Sequence, residues 1–343
     1  MTKVQVLAEH GGIGDLLGRL GVAQAIKRAV PDAVVWFVID NRLREWVQQL
    51  DNQIDHIVGV DPHARRPISK PRKLRKYPYL TVGGRFDYVV DLACPSYSEE
   101  TYWLAHRPLR PRQHVWAGVA ERALGIAFPD TLPRLTPIEP HFSRAQEWVK
   151  RRFAEHPGPL IGLHPFSCWT ARTLSYEQLA GVVAALGSLE PRYALFHSKR
   201  YPTHQWAHEI AATPIVRPQP ASLAGLIQGC DVLLGADSGL LHLASCVGTP
   251  AVGVFGCTGG ERVLGAYPSA AWVDAGPQEF DGLPCQEPCY GHNGKGMRLS
   301  RCDNRPCLAL GRIAPQRIAN AVTDVLRRTT MPVARIDNRD CQS

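Results

Sequence analysis

The chain has 343 residues, 45% of them hydrophobic and 20% charged, with a formal net charge of +8 at pH 7. These values exclude a disordered or fibrous chain, and the length suits two α/β domains better than one core. The positive charge favours an anionic partner, such as a nucleoside diphosphate, a phosphorylated glycolipid, a membrane surface or a nucleic acid. No apolar run approaches the roughly 20 residues that span a bilayer, so we expect a cytoplasmic protein.

The N-terminal sequence predicts a βαβ unit, with strands over 4–8 and 33–39 and a helix over 16–29. The turn between the first strand and this helix contains Gly12, Gly14 and Asp15, with His10 just before it. Two glycines after a strand partly imitate a dinucleotide fingerprint. Leu17 stands where that fingerprint needs its third glycine, which argues against a nicotinamide or flavin dehydrogenase.

The middle of the chain is less regular. Short strands are predicted over 54–60 and 88–92, with Asp91 near the end of the second, and a helix over 116–124. The basic, proline-interrupted run 65–78 predicts a loop. The loop either is simply solvated or meets acceptor phosphates or the inner membrane, and no recognised module around it supports nucleic-acid binding.

A second α/β series follows a proline-rich stretch at 129–140, a predicted helix over 142–153 and a linker at 156–159. Strands are predicted over 160–163, 193–197, 215–216, 231–234 and 251–255, and a final helix over 315–328.

The segment 231–258 carries the most chemical information. Its apolar strand is followed by Asp237 and Ser238, which are N-cap residue types, and by Gly239, which allows close backbone approach. Helical spacing then begins at Leu240, and His242 adds a side-chain donor on the first turn. A helix that begins at a strand end presents unpaired N–H groups to an anion such as a diphosphate. The alternative is an ordinary polar corner.

Two sequence patterns resemble one known family. They are D-S-G-x-x-H-L-A-S-x-x-G-T-P-x-V-x-x-F-G-x-T, from Asp237, and GGIGDLLGRLGVAQAIKRAVPDAVVWFVID near the N-terminus. Both resemble glycosyltransferase family 9, the ADP-heptose:lipopolysaccharide heptosyltransferases. The resemblance implies a GT-B fold, in which two Rossmann-like, doubly wound domains face a central cleft. We expect an acceptor-binding domain over 1–156, a nucleotide-sugar-binding domain over 157–314, and a segment over 315–343 whose helix packs back on the first domain.

This resemblance also implies an activity. The expected reaction is inverting, metal-independent transfer of a sugar, a heptose from ADP-heptose first of all, to a hydroxyl of a lipopolysaccharide core or of a protein. Asp15 matches the family's catalytic carboxylate and Asp91 is the second candidate base; either residue has a plain structural alternative, as a helix cap or a turn residue. The alternatives are a nucleotide-sugar epimerase or hydrolase of GT-B type, and a non-catalytic nucleotide-binding relative.

Donor-binding residues are expected at the second domain's strand ends. Arg172 stands where the family has a lysine. Arginine keeps the positive charge, and its planar guanidinium could bind a phosphate through two N–H groups. The remaining candidates are His164, Ser167, Thr170, His197, Asp237, Ser238, Gly239, Leu240 and His242. On the acceptor side of the cleft the candidates are His10, Gly12, Gly14 and Asp91.

Four of the ten cysteines cluster in the loop 284–307, namely Cys285, Cys289, Cys302 and Cys307. Two close pairs suit a structural zinc or iron site that staples a loop with little core of its own, and free thiols or disulfides are the alternatives. Transfer itself needs no cofactor by this interpretation.

Overall fold

The structure, a computed structural model, describes residues 1–9, 11–51, 53–61, 84–92, 111–197, 201–216, 218–283 and 306–330. Its strands are β1 Lys3–Ala8, β2 Val34–Asp40, β3 His56–Val60, β4 Tyr88–Asp91, β5 Leu160–His164, β6 Arg192–Phe196, β7 Thr213–Ile215, β8 Val232–Ala236, β9 Ala251–Phe255 and β10 Ala270–Asp274. Its helices are α1 Ile13–Ala29, α2 Arg44–Leu50, α3 Arg112–Leu124, α4 His141–Arg152, α5 Tyr176–Ala185, α6 Thr203–Glu209, α7 Pro220–Gln228, α8 Gly239–Cys246, α9 Gly260–Leu264, α10 Pro277–Phe280, α11 Leu308–Arg312 and α12 Pro315–Thr330.

The first sheet is parallel, in the order β3-β2-β1-β4. The predicted strands are confirmed to within two residues, with β1 and β2 mostly buried and the edge strands β3 and β4 partly exposed. Helix α1 begins at Ile13, earlier than predicted, since the Asp15 carboxylate accepts a hydrogen bond from the Gly12 N–H at 3.0 Å. The glycine-rich turn is therefore the first turn of the helix itself.

The second sheet is also parallel, in the order β10-β9-β8-β5-β6-β7. The chain order reverses between β5 and β8, which are hydrogen-bonded neighbours. This is a doubly wound sheet, whose ligands characteristically lie outside the carboxyl ends of the strands at such a reversal. Strand β9 matches its predicted bounds, while β10 at the sheet edge was not predicted.

Helix α4 packs with the second sheet although it precedes the boundary expected after residue 156. Its buried Ala145 and Val149 pack in one apolar cluster with Leu160 of β5 and Ile227 of α7. The domain boundary expected after residue 156 thus separates α4 from β5 and α7, the elements against which it packs. The apolar stripe of this otherwise basic helix is buried there.

Helix α12 contradicts one expectation. Its apolar face, with Ile318 and Val322 fully buried, packs in a cluster with Leu179 and Val182 of α5 and with Val254 of β9. The helix therefore covers the second sheet, and the predicted packing across the first domain is wrong. The physical reason is that α5 and the second sheet offer a matching apolar surface.

The two halves of the chain touch through α1, α2, α7 and α8. Leu17 of α1 is buried in the same apolar cluster as Leu241 of α8. The Ala221 N–H donates to Gln49 Oε1 at 3.2 Å. Within the described ranges, no helix is both long and apolar enough to cross a membrane.

The packing of α12 gives a stability prediction. Ile318→Ala should lower the free energy of unfolding by about 2–5 kcal/mol, because Ile318 is fully buried and its removal leaves a cavity. Asn320→Ala on the exposed face of the same helix is the control, with an expected change within about 0.5 kcal/mol. Chemical denaturation measures both, and equal effects would contradict the packing described here.

Candidate active site

The N-terminus of α8 lies at the point where the chain order of the second sheet reverses. Ser238 is its N-cap residue, with an extended backbone at φ −149° and ψ 163°. The Ser238 side chain makes no capping hydrogen bond, and its buried Oγ has no partner in the part of the chain that is described. This hydroxyl and the first N–H groups of α8 are therefore donors available to an anion.

Arg172 and Asp237 form an ion pair beside this helix. Arg172 Nη1 lies 3.1 Å from Asp237 Oδ2, and Thr258 Oγ1 donates to the same oxygen at 2.7 Å. The Arg172 guanidinium also lies 4.2 Å from the centre of the Trp169 ring. Its buried Nε–H has no partner among the described residues. Asp237 therefore holds the arginine in place, and the arginine keeps one donor for a ligand.

The loop before Arg172 is fixed by hydrogen bonds. Ser167 Oγ donates to the Asp237 carbonyl oxygen at 2.9 Å, and the Ser167 N–H donates to Thr173 Oγ1 at 3.1 Å. Thr170 begins the short 3₁₀ turn that ends at Arg172. Ser167 and Thr170 thus shape the loop that presents the arginine.

His164 and His197 lie at the carboxyl ends of the neighbouring strands β5 and β6. His164 is 9% exposed, and burial lowers its pKa to about 4, so its ring is neutral at pH 7. The ring packs edge-on against Phe166, with the centroids 5.8 Å apart. The His197 N–H donates to the Ile215 carbonyl oxygen, and its ring lies 6.1 Å from that of His204. These histidines stand where sequence predicted, and contact with a nucleotide stays a prediction.

Asp15 lies in the first turn of α1, and the charge of His242 in the second domain acts on it. Its Oδ1 lies 3.1 Å from Arg112 Nη1, and its Oδ2 accepts from the Gly12 N–H. Burial by itself would raise the pKa of Asp15, but Arg112, Arg19 and the Gly12 N–H outweigh it and lower the pKa. The carboxylate is therefore ionised at neutral pH. Its contact with the Gly12 N–H caps α1, as the structural alternative of the sequence analysis has it, and the role of a catalytic base stays a prediction.

Sequence analysis missed the charged residues behind Asp15. Glu9 is fully buried and Arg19 is 2% exposed. The Arg19 guanidinium lies 4.9 Å from the centre of the Trp116 ring, and the charges of Asp15, Glu9 and Asp91 all stabilise its charged form. The signal was present in the sequence, because Arg19 is the one charged residue in the otherwise mostly apolar run 16–26 of this helix.

The two domains meet where α1 and α8 begin. A β-carbon on Gly14 would stand 2.5 Å from His242 Cδ2, and one on Gly239 would stand 2.8 Å from Ile13 Cβ and 3.0 Å from the Gly14 nitrogen. The helix N-termini can approach this closely only because both positions are glycine. His242 is thereby held between the domains. It lies against Gly14, the residue that precedes Asp15 in the first turn of α1.

The other predicted residues lie around this contact or outside the described ranges. Leu240 is half-buried on the first turn of α8. A β-carbon on Gly12 would meet no atom within 4 Å. Asp91 is the last residue of β4, and its backbone lies beside Leu7 of β1 in the sheet. His10, the loop 65–78 and three of the four clustered cysteines, Cys285, Cys289 and Cys302, lie outside the residues that the structure describes.

Cys307, the fourth clustered cysteine, is described and contacts Cys257. A hydrogen bond with Cys257 is the main cause that lowers the pKa of Cys307, to about 6. Across the described ranges, no group of three or more histidine, cysteine or acidic side chains is arranged to hold a metal ion. The predicted zinc or iron site is thus without support there.

The glycine contact gives a second prediction. Gly239→Ala should push the domains apart, increase the radius of gyration in small-angle scattering, and lower stability by about 1–3 kcal/mol through overpacking. Gly187→Ala is the matched control, since a β-carbon there meets nothing within 4 Å. An unchanged radius for Gly239→Ala would show that the described approach of the two helices does not persist in solution.

Known proteins match this chain in both sequence and fold. Residues 219–279 match the model of glycosyltransferase family 9 (heptosyltransferase). No curated protein sequence matches the chain. Among solved structures, the glycosyl transferase family 9 protein from Veillonella parvula is 17% identical, with a TM-score of 0.68 over 95% of this chain and 97% of that one.

Two Escherichia coli proteins are also similar. ADP-heptose lps heptosyltransferase II is 16% identical, with a TM-score of 0.58 over 96% of this chain and 100% of that one. Heptosyltransferase WaaC, solved with ADP, is 14% identical, with a TM-score of 0.58 over 96% and 98%. The fold of these proteins thus matches nearly the whole of this chain. The predicted resemblance is confirmed: residues 219–279 match the model of glycosyltransferase family 9 (heptosyltransferase), and the fold is the GT-B fold of these heptosyltransferase structures.

Proposed function

We propose that this protein is an inverting glycosyltransferase that moves a heptose from ADP-heptose to a hydroxyl of a lipopolysaccharide core or of a protein. One observation carries the proposal: the N-terminus of α8, with the unpartnered Ser238 hydroxyl, opens opposite the turn that bears Asp15. An anion site and a carboxylate base then face one another across a cleft, which is what sugar transfer from a nucleoside diphosphate requires.

Donor binding is assigned to the second domain. The diphosphate would accept hydrogen bonds from Ser238 Oγ and Arg172 Nε, which have no partners within the described chain, and from N–H groups at the start of α8. Asp237 and Trp169 hold the guanidinium in advance, so little side-chain entropy is lost on binding. ADP in the WaaC structure and the name of heptosyltransferase II support an ADP-heptose donor.

Asp15 is assigned as the base. An ionised carboxylate in the cleft would take the proton of the acceptor hydroxyl as its oxygen attacks the anomeric carbon. The bond from that carbon to the diphosphate oxygen breaks in the same displacement, and the electron pair leaves with ADP. Attack opposite the leaving group inverts the configuration. Arg172 and the α8 N-terminus would meet the charge that develops on the leaving group, so the proposal needs no metal ion.

Surface charge supports an anionic acceptor met near the inner membrane. The chain carries a net charge of +8, and the last turn of α4 exposes Lys150, Arg151 and Arg152. Such a surface would attract a phosphorylated glycolipid or an anionic leaflet. We therefore propose a cytoplasmic protein that contacts the inner membrane peripherally, with no nucleic-acid partner.

The direct test is incubation with ADP-heptose and either a heptose-free lipopolysaccharide core or an acceptor peptide, followed by mass spectrometry. A glycosylated acceptor with released ADP supports the proposal. Donor consumed without acceptor, with its sugar altered or freed, would instead indicate an epimerase or hydrolase. Donor binding without any turnover would indicate a non-catalytic relative.

Asp15→Asn tests the base. Transfer should fall by about 10²- to 10⁴-fold because the amide cannot take the proton, while ADP affinity stays within about twofold. Steady-state transfer and calorimetric titration with ADP measure the two quantities. Asp91→Asn is the comparison, since Asp91 is the rival carboxylate. Full activity of Asp15→Asn, or loss with Asp91→Asn alone, would reverse the assignment.

Arg172→Ala tests the diphosphate clamp. ADP binding should weaken by about 1.5–3 kcal/mol, as expected for a hydrogen bond to a charged group. Arg172→Lys, which keeps the cation and a partner for Asp237, should lose less. The exposed Arg327, which pairs with Asp324 on α12, provides the control Arg327→Ala. Calorimetry with ADP, UDP and GDP measures affinity and nucleotide preference; unchanged ADP affinity for Arg172→Ala would remove Arg172 from the site.

A further inference from the structure

Tyr267 is a buried residue that contacts the histidine between the two domains. It lies between α9 and β10 and is 5% exposed. Its N–H donates to the Leu264 carbonyl oxygen at 2.8 Å, and its own carbonyl oxygen accepts from the Ala270 N–H at 3.1 Å. The Tyr267 hydroxyl oxygen lies 3.1 Å from His242 Nδ1, with the two rings edge to face and their centroids 5.4 Å apart. The backbone and ring of Tyr267 are thus fixed against His242.

The opposite edge of the imidazole faces the first domain. A β-carbon on Gly14 would stand 2.5 Å from His242 Cδ2 and 2.8 Å from Nε2. The charges of Asp15, Asp237 and Arg112 all act on this ring. One ring nitrogen is therefore bound inside the second domain, and the other faces Gly14 of the first domain, on the first turn of α8 where the diphosphate is proposed to lie.

A neutral imidazole carries its proton on one of its two nitrogens, and the choice of nitrogen decides whether the ring presents a hydrogen-bond donor or a lone pair to the proposed diphosphate site. Burial lowers the pKa of His242, so the ring is neutral at pH 7. With the proton on Nε2 the ring offers a donor to the cleft. With the proton on Nδ1 it presents a lone pair, which a diphosphate oxygen would repel.

The partners of Tyr267 select between these tautomers. Burial raises the pKa of Tyr267 well above its usual value, and the Cys246 thiol, which hydrogen-bonds to Tyr267, also has its pKa raised by burial. Both groups keep their protons. A phenolic O–H is a stronger donor than a neutral imidazole N–H, and the imidazole lone pair is the stronger acceptor, so the Tyr267 proton is directed to His242 Nδ1.

We propose that Tyr267 is a positioning residue, which donates a hydrogen bond to His242 Nδ1 and so keeps the proton on Nε2, where it is donated to the diphosphate of the sugar donor. The last part of this inference rests on the proposed function. Tyr267 touches no substrate in this scheme; it acts only through the tautomer and orientation of His242, in the way that second partners fix other functional histidines.

The tautomer can be observed directly. Long-range ¹H–¹⁵N NMR of the full-length protein labelled at histidine nitrogens distinguishes the two neutral tautomers, and His242→Gln identifies the resonances of His242 among the 13 histidines. We expect the Nε2–H form in the unmodified protein, and a mixture or the Nδ1–H form in Tyr267→Phe. An Nδ1–H tautomer in the unmodified protein would overturn the proposal, whether or not the protein transfers sugar and whether or not the variant folds.

Kinetics test the consequence. Tyr267→Phe keeps the ring packing and removes the hydroxyl, so kcat should fall on the order of 10- to 100-fold while KM for the donor changes little. Tyr193→Phe is the matched control, because Tyr193 is also buried but its hydroxyl donates to the Val183 carbonyl oxygen, away from the cleft. A melting temperature equal to that of Tyr193→Phe would exclude simple destabilisation.

Outcomes separate this inference from the proposed function. Unchanged kcat in Tyr267→Phe, with transfer intact, would overturn the positioning role alone. Absence of transfer in the unmodified protein would remove the proposed function, and the NMR measurement would still decide whether Tyr267 fixes the tautomer of His242.

Discussion

The close approach of two helix N-termini is the constraint on which the rest of this structure depends. Gly14 opens α1 and Gly239 opens α8, and neither position has room for a β-carbon. Two positive helix ends therefore converge on one point between the domains. At α1 the field is offset by the carboxylate of Asp15, which accepts from the Gly12 N–H. At α8 the N-cap side chain of Ser238 makes no capping bond, and the nearby Asp237 carboxylate is paired with Arg172. The asymmetry leaves one end as the proposed anion site and places a carboxylate at the other.

Each domain supports its side of the cleft with an arginine and aspartate pair. Asp15 pairs with Arg112 and Asp237 with Arg172, both at 3.1 Å. The two ion pairs differ in which partner is proposed to act on the substrate. In the first, the arginine lowers the pKa of the carboxylate that is proposed to react. In the second, the carboxylate orients the arginine that is proposed to bind phosphate. The same interaction thus tunes a base on one side and positions a cation on the other.

Local sequence patterns predicted most of the described strands because each buried parallel strand is a continuous apolar run between turn residues. They predicted less well where tertiary contacts decide. Helix α1 begins early since Asp15 closes a hydrogen bond to Gly12, and α3 begins at Arg112, four residues before its predicted start. The apolar stripe of α12 showed that one face is buried, but it could not show against which domain, since any matching apolar surface satisfies the hydrophobic effect.

By itself, the sequence determined most strands and the helix end at Ser238 and Gly239, because short-range spacing and residue type carry that information, while its resemblance to glycosyltransferase family 9 implied the GT-B fold and the candidate roles of Asp15 and Arg172. Only the tertiary structure decided which charges stand together. Glu9 and Arg19 became a buried network behind Asp15, and Tyr267 came to fix one nitrogen of His242 while Gly14 faces the other. These partners lie far apart along the chain, and their meeting follows from the packing of two sheets and the close contact of two glycines, which no local pattern encodes.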